Sequence, residues 1–325
     1  MAVQHDVQLL LAFGPVDAPS VAWFAFTTAR VNVIVFDGAG SEPDLEMGRR
    51  LGAEIRKDAT ARHVLLFLDG LHINGAAFTQ GLTERLPRSV TVSGGLASDG
   101  VEFKTTGLGV DGPPVERRAV AITLSGDSLA IAAGSAGGWE PFGPVRVISS
   151  ADGATVFELD DERALDIYRR YLGDLASELP GSALLFPLAL TSRDGATTVV
   201  RTILGVDDDA GSMRFAGDMP QGYTVRLMRS TNDSILDGAA FAARAAIAGL
   251  QGVAPSALLC VSCIGRRAVL RSRVEEEVEE VSQLAQGAVV SGYYSNGEIA
   301  PPTGRLDHAS LLHNQTMTIT AIGER

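Results

Sequence analysis

Two cysteines in 325 residues cannot make a disulfide scaffold, so a reducing cytoplasm is the simplest home for this chain. It has no apolar run of about 18 residues and no signal-peptide pattern, which argues against a membrane span. The early apolar stretch VQLLLAF (7–13) is far too short to span and reads as a strand. Positive charge is also scarce: 27 Lys and Arg against 39 Asp and Glu give a net charge of -12, with no basic run. A nucleic-acid or anionic-membrane surface is therefore not expected, because nothing here would displace phosphate counterions. Pairs such as Arg117-Arg118 and Arg266-Arg267 read as solvated surface. Catalytic signatures are missing as well. There is no G-x-S-x-G elbow, H-E-x-x-H or P-loop, and the partial glycine match GLGVDG lies among hairpin signals rather than at a strand-to-helix turn.

What is present is apolar sequence cut by many turns. Hydrophobic content is 46% with 36 glycines, and the length suits two domains or two packed halves, 1–160 and 161–325. The first hundred residues alternate strand and helix: VNVIVF (31–36), a helix over 42–57, the buried strand HVLLFLDG (63–70), a helix over 76–86, then SVTVSGG. From 101 to 159 the pattern turns to hairpins, beginning with VEFKTTGLGV and turning at Gly126-Asp127 and Asp152-Gly153. A helix follows at 162–179, then more hairpins, a helix from Ser234 to Leu250 and the strand SALLCVSCIG (256–265). The helix over 269–286 is read with Leu270, Val274, Val278, Val281 and Leu284 inward and its glutamates outward. The fold class is α+β, with large, mostly antiparallel mixed sheets covered by helices, and four-layer αββα stacking as the expected packing.

One pattern occurs twice. SVTVSGGLASDG (89–100) and AVVSGYYSNG (288–297) both run a β-branched strand into G-x-x-S-[DN]-G, and each follows a buried strand and a helix. The spacing pairs Gly95 with Gly292 and Asp69-Gly70 with Ser262-Cys263. Such a repeat makes two pseudo-related halves whose special turns lie at strand carboxyl ends, where open α/β sheets place ligands.

The second copy gathers the chemistry. Cys260 and Cys263 lie three apart on a strand and so face opposite sides, which excludes a chelate or a disulfide. Cys263, at the strand end, is either a pocket-facing thiol or a small buried hydrophobe. Glu298 either anchors a ligand cation or braces Arg266, or else makes a surface salt bridge or a turn-bracing hydrogen bond. Asn296 and Asp99 precede glycine, where such side chains bond their own backbone. Tyr293 and Tyr294 must face opposite sides, one in the core and one toward a pocket.

GGLASDG, GGWEPFG and ELDDERALDIYRRYLG, followed by SALLCVSCIGRR, GYYSNGEIAP and HNQTMT, resemble the FIST (F-box and intracellular signal transduction) family from about residue 30 to the end. The resemblance implies a bacterial sensory module that binds a small molecule. Amino acids have been proposed as ligands of the family, and haem binding in some members makes haem a possible cofactor here, although no specific residue supports it. It also matches Cys263 to the family cysteine and His313-Asn314 to its terminal H-N-x-T. With no kinase, cyclase or F-box segment left over, a stand-alone sensor acting on a separate output protein is expected. The expected ligand site is Cys263, Arg266, Tyr293, Tyr294, Asn296 and Glu298. The alternatives are an enzyme with Cys263 as nucleophile and a non-catalytic interaction scaffold.

Overall fold

The computed structural model describes residues 9–13, 20–24, 26–38, 42–100, 102–302 and 308–325. Residues 7 and 8 of the first expected strand lie outside them; the rest forms Leu9–Phe13.

Two sheets carry the repeat. The first runs in the order Leu311–His313, Glu298–Ala300, Thr91–Leu96, Ala61–Leu68, Arg118–Ser125, Arg30–Asp37. The second runs Val289–Ser295, Ala257–Cys263, Met317–Glu324, Leu129–Ala136. In each, a parallel pair joined through helix is followed by two antiparallel neighbours, so the four strands 91–96, 61–68, 118–125 and 30–37 match the second sheet one for one. The repeat is real, but its register is one residue away from the motif reading. Gly94 lies opposite Leu66 and Gly292 opposite Cys260. A Cβ on either glycine would come within 1.9 and 1.8 Å of those residues' carbonyl oxygens. Gly94, not Gly95, is therefore the partner of Gly292, and Asp69 matches Cys263. The common element is V-S-G against a neighbouring strand; the G-x-x-S-[DN]-G match is offset from it.

Period-two alternation builds the layers. Val64, Leu66 and Leu68 face the helices Asp44–Ile55 and Gly75–Arg85, meeting Met47, Leu51, Phe78 and Leu82. Leu65 and Phe67 face the other sheet, packing with Val120, Ile122, Leu259 and Ile322. On the far side, Leu258, Cys260 and Ile319 meet alanines of the helix Asn232–Gly249 and Val281 of the helix Val274–Leu284. The result is four layers, αββα. A polar chain crosses between the sheets: His63 bonds Ser93 Oγ at 2.8 Å, and Ser93 Oγ lies 2.6 Å from Thr320 Oγ1.

A third, eight-stranded sheet takes strands from both sides of residue 160: in order 198–201, 188–191, 224–229, 140–152, 155–159, 212–215 and 203–207, with 162–163 on its flank. Its two edge strands, Thr198–Arg201 and Ile203–Asp207, are separated in sequence by Thr202 alone. The sheet must curl to bring its edges together, and the helix Ala164–Leu172 fills the hollow with Leu165, Tyr168 and Leu172.

Four local expectations are corrected. Gly126-Asp127 makes no hairpin; it carries the chain from the strand Arg118–Ser125 in one sheet to Leu129–Ala136 in the facing one. Residues 102–110 form no named strand, because Phe103 adopts φ 52° and Asp99 gathers the N–H groups of Phe103, Lys104 and Thr105. The helix expected to 179 ends at Leu172, where Gly173 turns to φ 58° and a 3-10 stretch follows. The helix expected from 269 starts at Val274, after the separate short helix Ile264–Leu270, and its inward face is rotated: Glu277 is fully buried and Val278 is 46% exposed.

Candidate functional site

The strand Ala257–Cys263 ends under the last strand, its Cys263 N–H donating to Thr316 O at 3.0 Å. The short helix that follows turns Arg266 inward, not onto the surface. The side chain is fully buried; Nε donates to Glu277 Oε1 at 2.7 Å, Nη1 to Gly137 O at 2.6 Å and Nη2 to Ile235 O at 2.8 Å. Glu277 also accepts from Ser262 Oγ at 2.9 Å and Tyr294 Oη at 3.4 Å. Arg266 is thus neutralised and saturated by protein groups, and its carboxylate partner is Glu277 rather than Glu298. Sequence reading missed Glu277 because it favoured the apolar Val278; the spacing 270, 274, 277, 281, 284 is equally helical.

Strand pairing sorts the tyrosines. Tyr293, opposite Val261, turns between the sheets to Phe67, ring centroids 6.0 Å apart. Tyr294, opposite Ser262, turns to the helix layer, where the Arg267 guanidinium sits 5.4 Å from its ring. Burial pushes both phenols above their ordinary range.

Glu298 begins a strand that pairs with Gly95 of the first repeat, so the second copy of the motif closes onto the first. Its buried carboxylate accepts from Ser295 Oγ at 2.5 Å, Thr316 N at 3.1 Å and Thr316 Oγ1 at 2.9 Å. Burial raises its pKa to about 7 against the pull of those bonds. Burial, and then the charge of Glu298, pushes the Cys263 thiol up as well, so it is held as the neutral thiol. Since the thiolate is the nucleophile, this environment opposes the chemistry that an enzyme based on Cys263 needs.

Asn296 differs from the rest. Its N–H donates to Leu96 O at 3.2 Å, yet its side-chain Oδ1 and Nδ2 are buried and have no partner among the described residues. The same holds for Asn314, which is fully buried. Each flanks a glycine: a Cβ on Gly70 would fall 2.9 Å from Asn296 Nδ2, and one on Gly297 would fall 3.4 Å from Asn314 Nδ2. Leaving a buried polar group unpaired costs about 1–3 kcal/mol, so two orphan carboxamides are a large concession unless a guest completes them. Asn314 stands in the H-N-x-T segment, which is the one sequence signal that pointed to it.

Asp69, the counterpart of Cys263, is fully buried too. Burial works against its charge but is outweighed by bonds from Thr106 Oγ1, Leu71 N, Arg117 N and His72 Nδ1, which hold its pKa below the ordinary value. The first repeat's strand end is thereby closed by its own loop.

A cleft of about 310 Å³ lies where the eight-stranded sheet meets the second repeat, between Phe186, Arg229, Asn232 and Arg271. No His, Cys, Met or Tyr lines it. His63 has both ring nitrogens engaged, and His313 contacts Ala300 O at 3.1 Å with burial depressing its pKa to about 4. These residues do not fit the axial ligation of a haem.

Repeat, stacking and convergent strand ends define an α+β protein with a polar, buried junction. Family models for the FIST N domain and the FIST C domain match residues 10–162 and 164–301, and the chain belongs to the FIST family, whose domains are signal-transduction sensor domains. An uncharacterized protein of Mycobacterium tuberculosis is 25% identical over 258 residues, covering 77% of this chain and 66% of that protein. An uncharacterized protein of Mycobacterium bovis is 27% identical over 176 residues, covering 52% of this chain and 45% of its own. The chain thus spans less than two thirds of the length of either relative. A solved cyanuric acid hydrolase from A. caulinodans aligns over 92% of this chain and 100% of its own, at 10% identity and a TM-score of 0.23. No helix among the described residues is long and apolar enough to cross a membrane.

Proposed function

We propose that this protein is a cytoplasmic sensor that binds a small polar molecule at the junction of the two repeats and passes occupancy to a separate output protein. The observation that carries the reading is the pair of buried, unpartnered carboxamides, Asn296 and Asn314. Each offers one acceptor and two donors, enough to grip a ligand that carries both kinds of group. Cys263, Arg266, Tyr293, Tyr294 and Glu298 belong to the same proposed site, with the Arg266–Glu277 ion pair fixing the helix Ile264–Leu270.

A thermal-shift panel of amino acids, nucleotides and haem tests this on wild type, Asn296→Ala and Glu298→Ala. Asn296→Ala removes two orphan atoms, so without ligand its Tm should stay level or rise by about 2 °C. The same change should abolish the shift that a true ligand gives wild type, and Glu298→Ala should weaken it. An empty panel, or a hit indifferent to Asn296→Ala, would count decisively against the site.

A further inference from the structure

We propose a second binding site, for a small organic anion with an apolar body, in the cleft between the eight-stranded sheet and the second repeat. Its floor is apolar: Leu185, Phe186 and Val269. Its charged walls are Arg229, at the end of the strand Thr224–Arg229, and Arg271, just past the helix Ile264–Leu270. Both arginines are exposed, and neither has a carboxylate partner among the described residues. Of the nearby acids, Arg273 holds Asp233 at 2.8 Å and Glu276 at 2.8 Å, while Glu140 lies opposite Arg229 on the neighbouring strand without forming an ion pair with it. A cleft with two open guanidinium groups in a chain of net charge -12 is a local reversal of sign.

The arginines are placed rather than loose. The Arg229 guanidinium stacks 5.9 Å from the Phe142 ring centroid, which confines its long arm. Arg271 is held at φ 53°, a left-handed conformation that a non-glycine residue adopts at a cost, and this fixes where its side chain leaves the helix end. Asn232, the first residue of an 18-residue helix, opens on the same cleft and adds the positive end of that helix. Two planar forks over an apolar floor suit a carboxylate or phosphate carried on a ring-sized body, and about 310 Å³ sits at the small end of ligand pockets.

The cleft is also wired to the buried junction. Arg271 follows the helix that carries Arg266; Ile235, in the first turn after Asn232, gives its carbonyl to Arg266; Leu184, before Leu185, gives its carbonyl to Gln315 Nε2 at 3.2 Å. An anion that draws the two arginines together therefore pulls on the elements that hold Arg266 and Gln315.

Isothermal titration with benzoate, phenyl phosphate and uncharged benzyl alcohol tests the site. At least one anion should bind, about tenfold or more tighter than the alcohol, and the preferred anion assigns the ligand to carboxylates or phosphates. The exposed double variant Arg229→Ala/Arg271→Ala, checked for folding by circular dichroism, should weaken that binding about tenfold or more. Failure of both anions to bind below about 10 mM, equal binding of the alcohol, or undiminished binding to the double variant would overturn the proposal. Because these outcomes read only the cleft and its two arginines, the two sites stand or fall separately.

Discussion

Arg266 is the largest fully buried side chain among the described residues, and its charge is tolerated because Glu277 and two backbone carbonyls surround it. Arg266→Met should therefore cost about 3–5 kcal/mol in urea unfolding, most of it from the stranded Glu277 charge. Arg266→Met/Glu277→Met should recover part of that loss; a double variant no better than the single one would show that the carbonyl contacts, not the ion pair, dominate. Glu298 is a different case, a buried acid with no cation in contact. Its pKa is raised from 4.5 to about 7, so the folded state favours the protonated form. Its contribution is fully present below about pH 4.5 and is lost as pH rises through about 7, on the order of 3 kcal/mol at about 1.4 kcal/mol per pH unit. Buried His63 and His313, with pKa values pushed down to about 3 and about 4, act the other way, losing stability as pH falls below about 6.5. The measurement is thus the difference between wild type and Glu298→Gln: wild type should lose ground from pH 4.5 to 7, and parallel curves would refute the burial argument. None of these states was readable from residue type. Glu298 and Glu277 look alike in sequence, and only the neighbours decide that one is ion-paired and the other leans toward neutrality.

Among elements, the strand–helix–strand unit is the part that its sequence announces most clearly. Buried apolar runs, an intervening helix and V-S-G endings gave both parallel pairs, although the motif placed them one residue out of register. The glycine explains why V-S-G recurs: the neighbouring strand's carbonyl occupies the place of a Cβ at Gly94 and at Gly292. Gly292→Ala should accordingly cost about 3 kcal/mol or more, or prevent folding, because a backbone atom cannot swing aside. Gly112→Ala, with nothing nearer than 3.8 Å and no positive φ, should stay within about 0.5 kcal/mol. Similar chemical denaturation midpoints for the two variants would refute this reading of the repeat. The helix over 274–284 shows the limit of pattern reading. An inward stripe through Val278 or through Glu277 satisfies the same periodicity, and the choice fell to Glu277 because a buried guanidinium eleven residues earlier needed a carboxylate. The Gly126-Asp127 turn is a second example: its residues specify a tight reversal but not whether the next strand pairs with the last or joins the opposite sheet.

Across the whole molecule, the sheets are interleaved. The first is completed by Glu298–Ala300 and Leu311–His313, the second by Leu129–Ala136, and the eight-stranded sheet sits between that strand and the helix Asn232–Gly249 in chain order. By itself the sequence determined the fold class, the doubled strand–helix–strand unit and the resemblance to the FIST family, because these rest on local periodicity and on short motifs that survive in one dimension. Tertiary structure alone decided which polar groups are spent and which are open. Arg266 and Glu298 are consumed by contacts from residues up to 129 positions away, the carboxamides of Asn296 and Asn314 have no hydrogen-bond partner among the described residues, and Arg229 and Arg271 line one cleft. Hydrogen-bond satisfaction and charge compensation depend on distance in space, and sequence spacing carries no record of that once the chain has crossed between sheets.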